Sequence, residues 1–129
     1  MILLADEDIG TNVPRALSLV GYDARSLVGV GWATRPDVWW LERAGSLGWL
    51  VFSANKRMLR VPSERDVIIR EKVGIVYLTK GEEFLADVLG LLLRKWQMLE
   101  ELHATTPRPF ARFLSPGGVM TDRWRDLKL

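Results

Sequence analysis

Acidic side chains follow the first predicted strand and begin the second predicted helix, and these carboxylates are the groups best suited to chemistry. Asp6, Glu7 and Asp8 come directly after the apolar residues 2–5, and Asp37 stands at a predicted helix start. In a parallel α/β sheet, functional sites lie beyond the carboxyl ends of the strands, where such positions meet. Carboxylates gathered there raise each other's pKa unless a cation neutralises them, and Mg²⁺ or Mn²⁺ prefers their oxygen atoms. The spacing therefore predicts a divalent-cation site that stabilises charge on a phosphodiester; the alternative, in which these acids only cap the following helices, stays open.

The composition leaves carboxylates as the main candidates for catalysis. The 129 residues include no Cys and one His, His103. The absence of Cys excludes disulfides, thiolate zinc ligands and a thiol nucleophile, and it fits a reducing cytosol. A single His argues against a Ser-His-Asp hydrolase, and we interpret His103, near a predicted helix end, as a polar surface residue rather than a base. The length predicts a single domain over residues 1–129.

A basic segment follows the third predicted strand and is suited to binding a nucleic-acid backbone. Ser53 comes directly after that strand, and Lys56, Arg57 and Arg60 make the next segment basic. Residues 1–55 contain four bases and six acids (−2), whereas residues 56–129 contain fourteen bases and ten acids (+4), within a net charge of +2. Because Lys and Arg neutralise phosphates, the sequence predicts a phosphate-attracting half beside an acidic rim. A solvated basic loop is the alternative.

The elements that position these residues alternate between apolar strands and amphipathic helices. Strands are predicted at residues 2–5, 22–27, 49–52 and 75–78, with an edge strand at 110–114. Helices are predicted at residues 13–20, 38–47, 62–72 and 81–103, and a loop at 56–61. Right-handed crossovers between such strands predict a small Rossmann-like three-layer α/β/α sandwich with a mostly parallel central sheet.

The first residues lack the pattern of a secretory signal. The apolar residues 2–5 lead directly into acids, whereas a signal peptide has a basic start and a longer apolar stretch. The longest apolar run, residues 88–93, is far shorter than the roughly 20 residues that span a bilayer. We therefore expect a cytoplasmic protein that does not enter a membrane.

Several segments, in this order, resemble the small PIN-like proteins. Residues 3–17, which contain LLADEDIG and VPRAL, are similar to their opening strand, acid and helix, and Pro36-Asp37 with Trp40-Leu41 resembles their acidic second helix. GWLVFSANKR at residues 48–57 resembles their third strand and its Thr-x-Asp-Lys ending. The long helix to Trp96 and residues 107–113 resemble the C-terminal half of VapC-type PIN-like toxins. Each motif alone is weak, so the order and spacing carry the resemblance.

The resemblance implies a ribonuclease toxin that cuts RNA with acidic residues and Mg²⁺ or Mn²⁺ and is held inactive by a cognate antitoxin. By position, Asp6 would be the first metal ligand and Asp37 the second acid, with Asp8 as a further ligand. Asn55 stands where the family commonly has a third Asp, and Ser53 replaces the family's Thr, a hydroxyl able to orient a ligand or water. The catalytic candidates are Asp6, Asp37 and Asn55, and the expected RNA contacts are Ser53, Lys56, Arg57 and Arg60.

Asn55 is the main departure from the family's pattern. A neutral amide holds a divalent ion less strongly than a carboxylate does. Glu7, Asp8 or Glu82 would compensate, or activity has been lost, or the residue is an introduced substitution. The sequence leaves these three readings open.

Tryptophans are the candidate contacts for partners. Trp39 and Trp40 are neighbours on one predicted helix, so both cannot face the core, and one is expected to face a partner or an RNA base. Either of them, together with Trp124, is a candidate for apolar contacts with the antitoxin, since aromatic residues are favoured at interface cores. Homo-oligomers are common among such proteins, and a homo-oligomer stays open here.

Two other classes of protein fit parts of the sequence. A response-regulator receiver also begins with an apolar strand and an acidic pair that binds Mg²⁺, and Thr79 and Lys80 loosely match its later positions. A receiver needs a phosphorylatable Asp after its third strand, however, and this chain has Ser53, Ala54 and Asn55 there. A non-catalytic RNA- or protein-binding module that keeps the PIN-like fold is supported by Asn55.

Overall fold

The computed structural model describes residues 1–80 and 84–122, which form one six-stranded sheet with helices on both faces. The strands are β1 Leu3–Ala5, β2 Ala24–Ser26, β3 Leu50–Ser53, β4 Gly74–Leu78, β5 Phe110–Leu114 and β6 Met120–Asp122. The helices are α1 Asn12–Leu19, α2 Asp37–Leu47, α3 Pro62–Arg70 and α4 Leu85–Thr105, with a short 3-10 helix at Lys56–Leu59. None of the helices in these two ranges is long and apolar enough to cross a membrane.

The sheet has the strand order β2-β1-β3-β4-β5-β6. Strands β1 to β5 are parallel, and β6 runs antiparallel to β5. The chain leaves β1 for β2 on one side and then crosses to β3 on the other side. In sheets of this kind, the crevice beyond the carboxyl ends at such a reversal is the usual binding site. Here Asp6 follows β1 and Asn55 lies just beyond β3, so both stand at that crevice.

Alternate strand residues face two separate apolar cores. Leu3, Phe52 and Val76 pack toward α1 and α4, whereas Leu4 and Val51 pack toward α2 and α3. A strand buried on both faces is a continuous apolar run rather than an alternating one, as residues 3–5 and 50–52 are. The predicted three-layer α/β/α sandwich is therefore confirmed.

Helices α2 and α3 pack closely because of a glycine in α2. A Cβ atom built on Gly45 would lie 2.6 Å from the backbone oxygen of Glu71, directly after α3. Helix α2 then ends at Gly48, whose φ of 71° is left-handed, a conformation that a glycine adopts without steric cost. The close approach therefore lies near the carboxyl ends of both helices.

Two predictions for these elements are wrong. Strand β5 is not an edge strand, because β6 pairs with it. The predicted basic loop contains the 3-10 helix Lys56–Leu59, which forms because Met58 and Leu59 are buried in the core shared with α2 and α3. His103, expected to be a polar surface residue, is half-exposed, and its Nε2 lies 2.7 Å from the backbone oxygen of Gly48. The predicted first turn at 81–83, with Glu82, and the candidate contact Trp124 lie outside the described residues.

Candidate functional site

A cavity of about 440 Å³ opens at the carboxyl ends of β1 and β3. It is lined by the loop after β1, by the segment after β3 that leads into the 3-10 helix, and by the first turn of α2. The lining residues are Asp6, Glu7, Asp8, Asp37, Ala54, Asn55, Lys56 and Arg57. The structure thus brings together all three predicted metal ligands, Asn55 and two of the predicted RNA contacts.

The carboxylate of Asp6 is almost fully buried, at 5 % exposure, and is held by two hydrogen bonds. The backbone N–H of Glu7 donates to Oδ1 at 2.6 Å, and the Ser53 hydroxyl donates to Oδ2 at 3.0 Å. Desolvation by burial and then the charge of Asp8 raise the pKa of Asp6 to about 6, although both hydrogen bonds act to lower it. Asp6 is therefore a fixed carboxylate whose negative charge is unfavourable without a cation.

Asp37 and Glu64 form a pair of carboxyl groups on the neighbouring helices α2 and α3. The indole Nε1 of the fully buried Trp40 donates to Oδ1 of Asp37 at 3.0 Å, which orients that carboxylate. Burial raises the pKa of Glu64 to about 7, helped by a hydrogen bond to Asp37 and by its charge, while Arg57 acts in the opposite direction. The charge of Asp6 also raises the pKa of Glu64. Both predicted ligands, Asp6 and Asp37, therefore affect the protonation of Glu64.

Glu64 is a candidate site residue that the sequence pattern did not predict. It lies in the first turn of α3, where an acid is ordinarily explained by the helix dipole. The sequence signal available was its position at a helix start, which it shares with Asp37. Its proximity to Asp37 depends on the packing of α2 against α3, and this packing cannot be predicted from the spacing of residues in the sequence.

Asp8 belongs to the same negatively charged region, and the uncharged phenol of Tyr77 lies close enough to be affected by it. Desolvation raises the pKa of Asp8, with a further contribution from the charge of Asp37. The Tyr77 hydroxyl is buried and has no hydrogen-bond partner among the described residues. Desolvation and then the charges of Asp6, Glu64 and Asp8 raise the pKa of Tyr77. The phenol therefore remains protonated and lies in the field of the same carboxylates.

The predicted RNA contacts are placed differently from one another. Lys56 and Arg57 line the cavity and are exposed, and the Nζ of Lys56 donates to the backbone oxygen of Thr79 at 2.9 Å. Arg60 is exposed beyond the 3-10 helix and does not line the cavity. Ser53 is completely buried, so the prediction that it contacts RNA does not fit this structure. Its hydroxyl instead positions Asp6 and accepts a hydrogen bond from the backbone N–H of Asn55 at 2.9 Å.

A family model described as "PIN like domain" matches residues 1–80, from the start of the chain to just beyond β4. The chain belongs to the PIN-like domain family. The match includes every cavity residue as well as Glu64 and Tyr77. Neither the curated proteins nor the solved structures that were compared give a match.

Membership of the PIN-like family decides a question that the strand order of this chain leaves open. The order 2-1-3-4-5 of the parallel strands is also that of flavodoxin-like domains, including receivers, so topology alone does not separate this chain from them. The match to a PIN-like domain does, and Ser53-Ala54-Asn55 after β3 offers no phosphorylatable Asp.

The donor set of this PIN-like domain fits a hard divalent cation. Within residues 1–80 and 84–122, no three or more Asp, Glu and His side chains are already arranged to hold a metal ion together. Mg²⁺, however, usually binds through one or two carboxylates and keeps several waters. Desolvation and the charges of neighbouring carboxylates raise the pKa values of Asp6 and Glu64, so this site carries unfavourable negative charge. A hydrated cation would neutralise that charge.

Proposed function

We propose that this PIN-like domain is a metal-dependent endoribonuclease that acts as the toxin of a toxin–antitoxin system. The observation that carries the nuclease proposal is the cavity that Asp6, Asp8 and Asp37 line beside Lys56 and Arg57. Glu64 adjoins it through its hydrogen bond to Asp37. Carboxylates next to cationic side chains suit a reaction in which a phosphodiester is bound while a cation neutralises its developing charge.

Asp6, Asp8 and Asp37 would hold Mg²⁺ or Mn²⁺. When bound, the ion supplies activation of water and neutralisation of negative charge on the phosphodiester. The Ser53 hydroxyl and the Glu7 N–H keep Asp6 in place, and the Trp40 indole keeps Asp37 in place. This preorganisation lets the carboxylates act without reorienting during the reaction.

Lys56 and Arg57 would bind the phosphates of the substrate, and Glu64 would hold a proton beside Asp37. Both cationic side chains are exposed at the rim of the cavity, where phosphate oxygens are reached without burying a charge. A carboxyl group with a pKa of about 7 exchanges its proton readily near neutral pH. Glu64 is thus suited to proton transfer at the edge of the site.

The toxin role rests on the resemblance to VapC-type proteins, and it implies a cytoplasmic protein with a cognate antitoxin that covers the acidic cavity. Of the two neighbouring tryptophans, Trp40 is buried and Trp39 is half-exposed. Trp39 therefore remains the candidate of this pair for contact with a partner or an RNA base, and Trp124 remains a prediction.

Cleavage of RNA by the purified chain with Mn²⁺ tests the proposal. We expect Mn²⁺-dependent cleavage that EDTA abolishes, and a loss of at least roughly 100-fold in Asp6→Asn and Asp37→Asn, since such electrostatic groups are worth this order of rate. Asp66→Asn, at an exposed position of α3, is the matched control and keeps activity. On expression, the wild type and Asp66→Asn should inhibit growth more strongly than Asp6→Asn and Asp37→Asn do. Cleavage that is equal in all four proteins would refute the assignment.

Asn55 supports a second candidate, an RNA-binding module without catalysis. Its side chain lines the cavity where the family commonly has an Asp, and it adds no negative charge. RNA binding that is insensitive to EDTA, with no cleavage in Mn²⁺, would favour this module.

A further inference from the structure

Three tryptophans and three arginines form a continuous series of ring contacts on the side of the molecule that carries α2. We call this series the tryptophan–arginine ladder. It consists of Trp32, Trp39 and Trp49 with Arg25, Arg35 and Arg43. These residues come from four separate parts of the chain, and the proposed reaction uses none of them.

The indole rings contact each other in two geometries. Trp32 stacks on Trp49, with ring centroids 5.4 Å apart and planes 18° from parallel. Trp32 also meets Trp39 edge to face, at 5.7 Å and 81°. Both are preferred aromatic arrangements, so the three rings form one connected unit.

Each end of this unit carries guanidinium groups. Arg25 lies over the ring of Trp49 at 4.9 Å. Arg35 and Arg43 lie over the ring of Trp39 at 4.8 Å and 5.3 Å. A guanidinium packed flat on an aromatic ring uses its face for the contact and keeps its in-plane N–H donors for other partners.

The ladder is accessible and positively charged. The three indoles are half-exposed and the three arginines are exposed. Arg25 is paired with Asp23 at 3.2 Å. Across residues 1–80 and 84–122, Arg35 and Arg43 form no salt bridge, so two cations lack a carboxylate partner in this part of the chain.

Along the chain, the ladder adjoins the acidic cavity. Arg35 and Trp39 each lie two residues from Asp37, which lines that cavity. Arg43 follows Trp39 by four residues, so both lie on one face of α2, and Arg43 stands about 9 Å along the helix axis from Asp37. The other end reaches Arg25 on β2, the edge strand of the sheet.

We propose that the tryptophan–arginine ladder binds the single-stranded RNA that flanks the phosphodiester in the cavity. Bases stack on the outward faces of the guanidinium groups and on the exposed parts of the indoles, and the N–H donors contact phosphates. Two unpaired cations beside aromatic rings match a polyanion with aromatic bases more closely than they match an apolar protein surface. This proposal rests on the proposed function, because it assigns the substrate's flanking strand to the same site.

Binding of a fluorescently labelled, unstructured RNA 12-mer to the full chain, followed by anisotropy in EDTA, tests the ladder without requiring cleavage. Arg35→Gln/Arg43→Gln is expected to weaken binding at least tenfold. In a plot of the logarithm of the binding constant against the logarithm of the salt concentration, the slope should become shallower by about 0.7 for each phosphate that the variant no longer neutralises. Trp39→Leu should weaken binding at least fivefold, whereas Trp39→Phe, which keeps a ring for stacking, should recover most of it.

Arg70→Gln/Arg94→Gln is the matched control, since it removes two charges from exposed positions on α3 and α4. It should change affinity less than twofold, and circular dichroism melts should show that all variants fold.

Equal losses of affinity for a DNA 12-mer of the same sequence would support recognition by stacking and phosphate contact. Equal affinities of the ladder and control variants would overturn the proposal, and so would normal RNA binding by ladder variants that no longer capture a co-expressed antitoxin. Ladder-dependent binding with no cleavage in Mn²⁺ would instead reject the nuclease assignment alone.

Discussion

At the residue scale, the candidate site depends on how Asp6 is held. Its carboxylate accepts hydrogen bonds from Ser53 and from the backbone of Glu7, yet its pKa is raised to about 6 because it is buried beside Asp8. The fold therefore fixes this group in position while making its charge unfavourable. Such an arrangement costs stability, and the proposed cation would remove this cost.

The pH dependence of stability should reveal this cost in the metal-free protein. The pKa of Asp6 is raised from 3.8 to about 6, so its stabilising contribution is complete below pH 3.8 and is lost as the pH rises through 6. The pKa of Glu64 is raised from 4.5 to about 7, so its contribution to stability is also lost as the pH rises. We expect the free energy of unfolding, measured by denaturant titration in EDTA, to fall from pH 5 to pH 8.

Asp6→Asn should reduce this fall and stabilise the metal-free protein at pH 8 by roughly 1–2 kcal/mol. Asp66→Asn, an exposed position on α3, should leave the pH profile unchanged. A profile that is flat, or that rises over this range in the wild type, would contradict the electrostatic account of the site.

Asn55→Asp should strengthen metal binding. A third carboxylate at the end of β3 adds charge for a divalent ion, and ligand charge sets affinity at oxygen sites. We expect the Kd for Mn²⁺, measured by titration calorimetry, to fall about tenfold, with lower stability in EDTA because of the added repulsion. Gln97→Glu on α4, an exposed position, makes the same chemical change as a control. An unchanged Kd in Asn55→Asp would place position 55 outside the metal site.

Whether a site residue can be predicted from the sequence depends on what brings it to the site. Asp6 and Asn55 each lie within two residues of the end of a strand, so the strand pattern alone predicts that they meet. Glu64 and Tyr77 join the site through packing between helices and through the side of the sheet that a residue faces. Neither relation is visible in spacing, so the first pair could be predicted from the sequence and the second could not.

At the element scale, the contact between α2 and α3 positions the pair Asp37 and Glu64. Gly45 allows this contact, because a Cβ there would lie 2.6 Å from the Glu71 backbone oxygen and 2.8 Å from the Glu71 Cβ. The helices must separate if any side chain is added at this position. Their separation would also move Asp37 relative to Glu64.

Gly45→Ala should therefore destabilise the protein by about 1–3 kcal/mol, as overpacked interfaces do, and reduce RNA cleavage. Gly90→Ala is the matched change in α4, where the nearest atom to a new Cβ is the end of the Arg94 side chain at 3.4 Å. It should stabilise the protein by roughly 0.5–1 kcal/mol, since Ala is the better helix former. Thermal melts check both values, and a Gly45→Ala variant as stable as the wild type would refute the role of this contact.

The errors in the predicted elements have physical causes. Residues 56–61 contain Lys56, Arg57 and Arg60, and their charge obscured the two apolar residues, Met58 and Leu59, that tie the 3-10 helix to the core. Strand β6 has only three residues, half-exposed or exposed, so it carries no apolar run. Its pairing with β5 is fixed by the turn between them rather than by its own pattern.

At the scale of the whole molecule, the small net charge of +2 hides a separation of acidic and basic residues. Residues 1–55 are net acidic and residues 56–129 are net basic. The structure adds a finer division, because Arg25, Arg35 and Arg43, which belong to the acidic half of the chain, lie on the tryptophan rings of the ladder. Three of the six tryptophans lie in the same ladder.

The proposed function depends on a divalent cation held by the carboxylates after β1 and at the start of α2. Anomalous diffraction from crystals of the full chain soaked in Mn²⁺ would locate this ion, with Asp6→Asn crystals as the control. We expect one anomalous peak in the cavity, bounded by Asp6, Asp8 and Asp37, and its loss or marked weakening in Asp6→Asn. A cavity without an anomalous peak at saturating Mn²⁺, or a peak that Asp6→Asn leaves unchanged, would contradict the proposal.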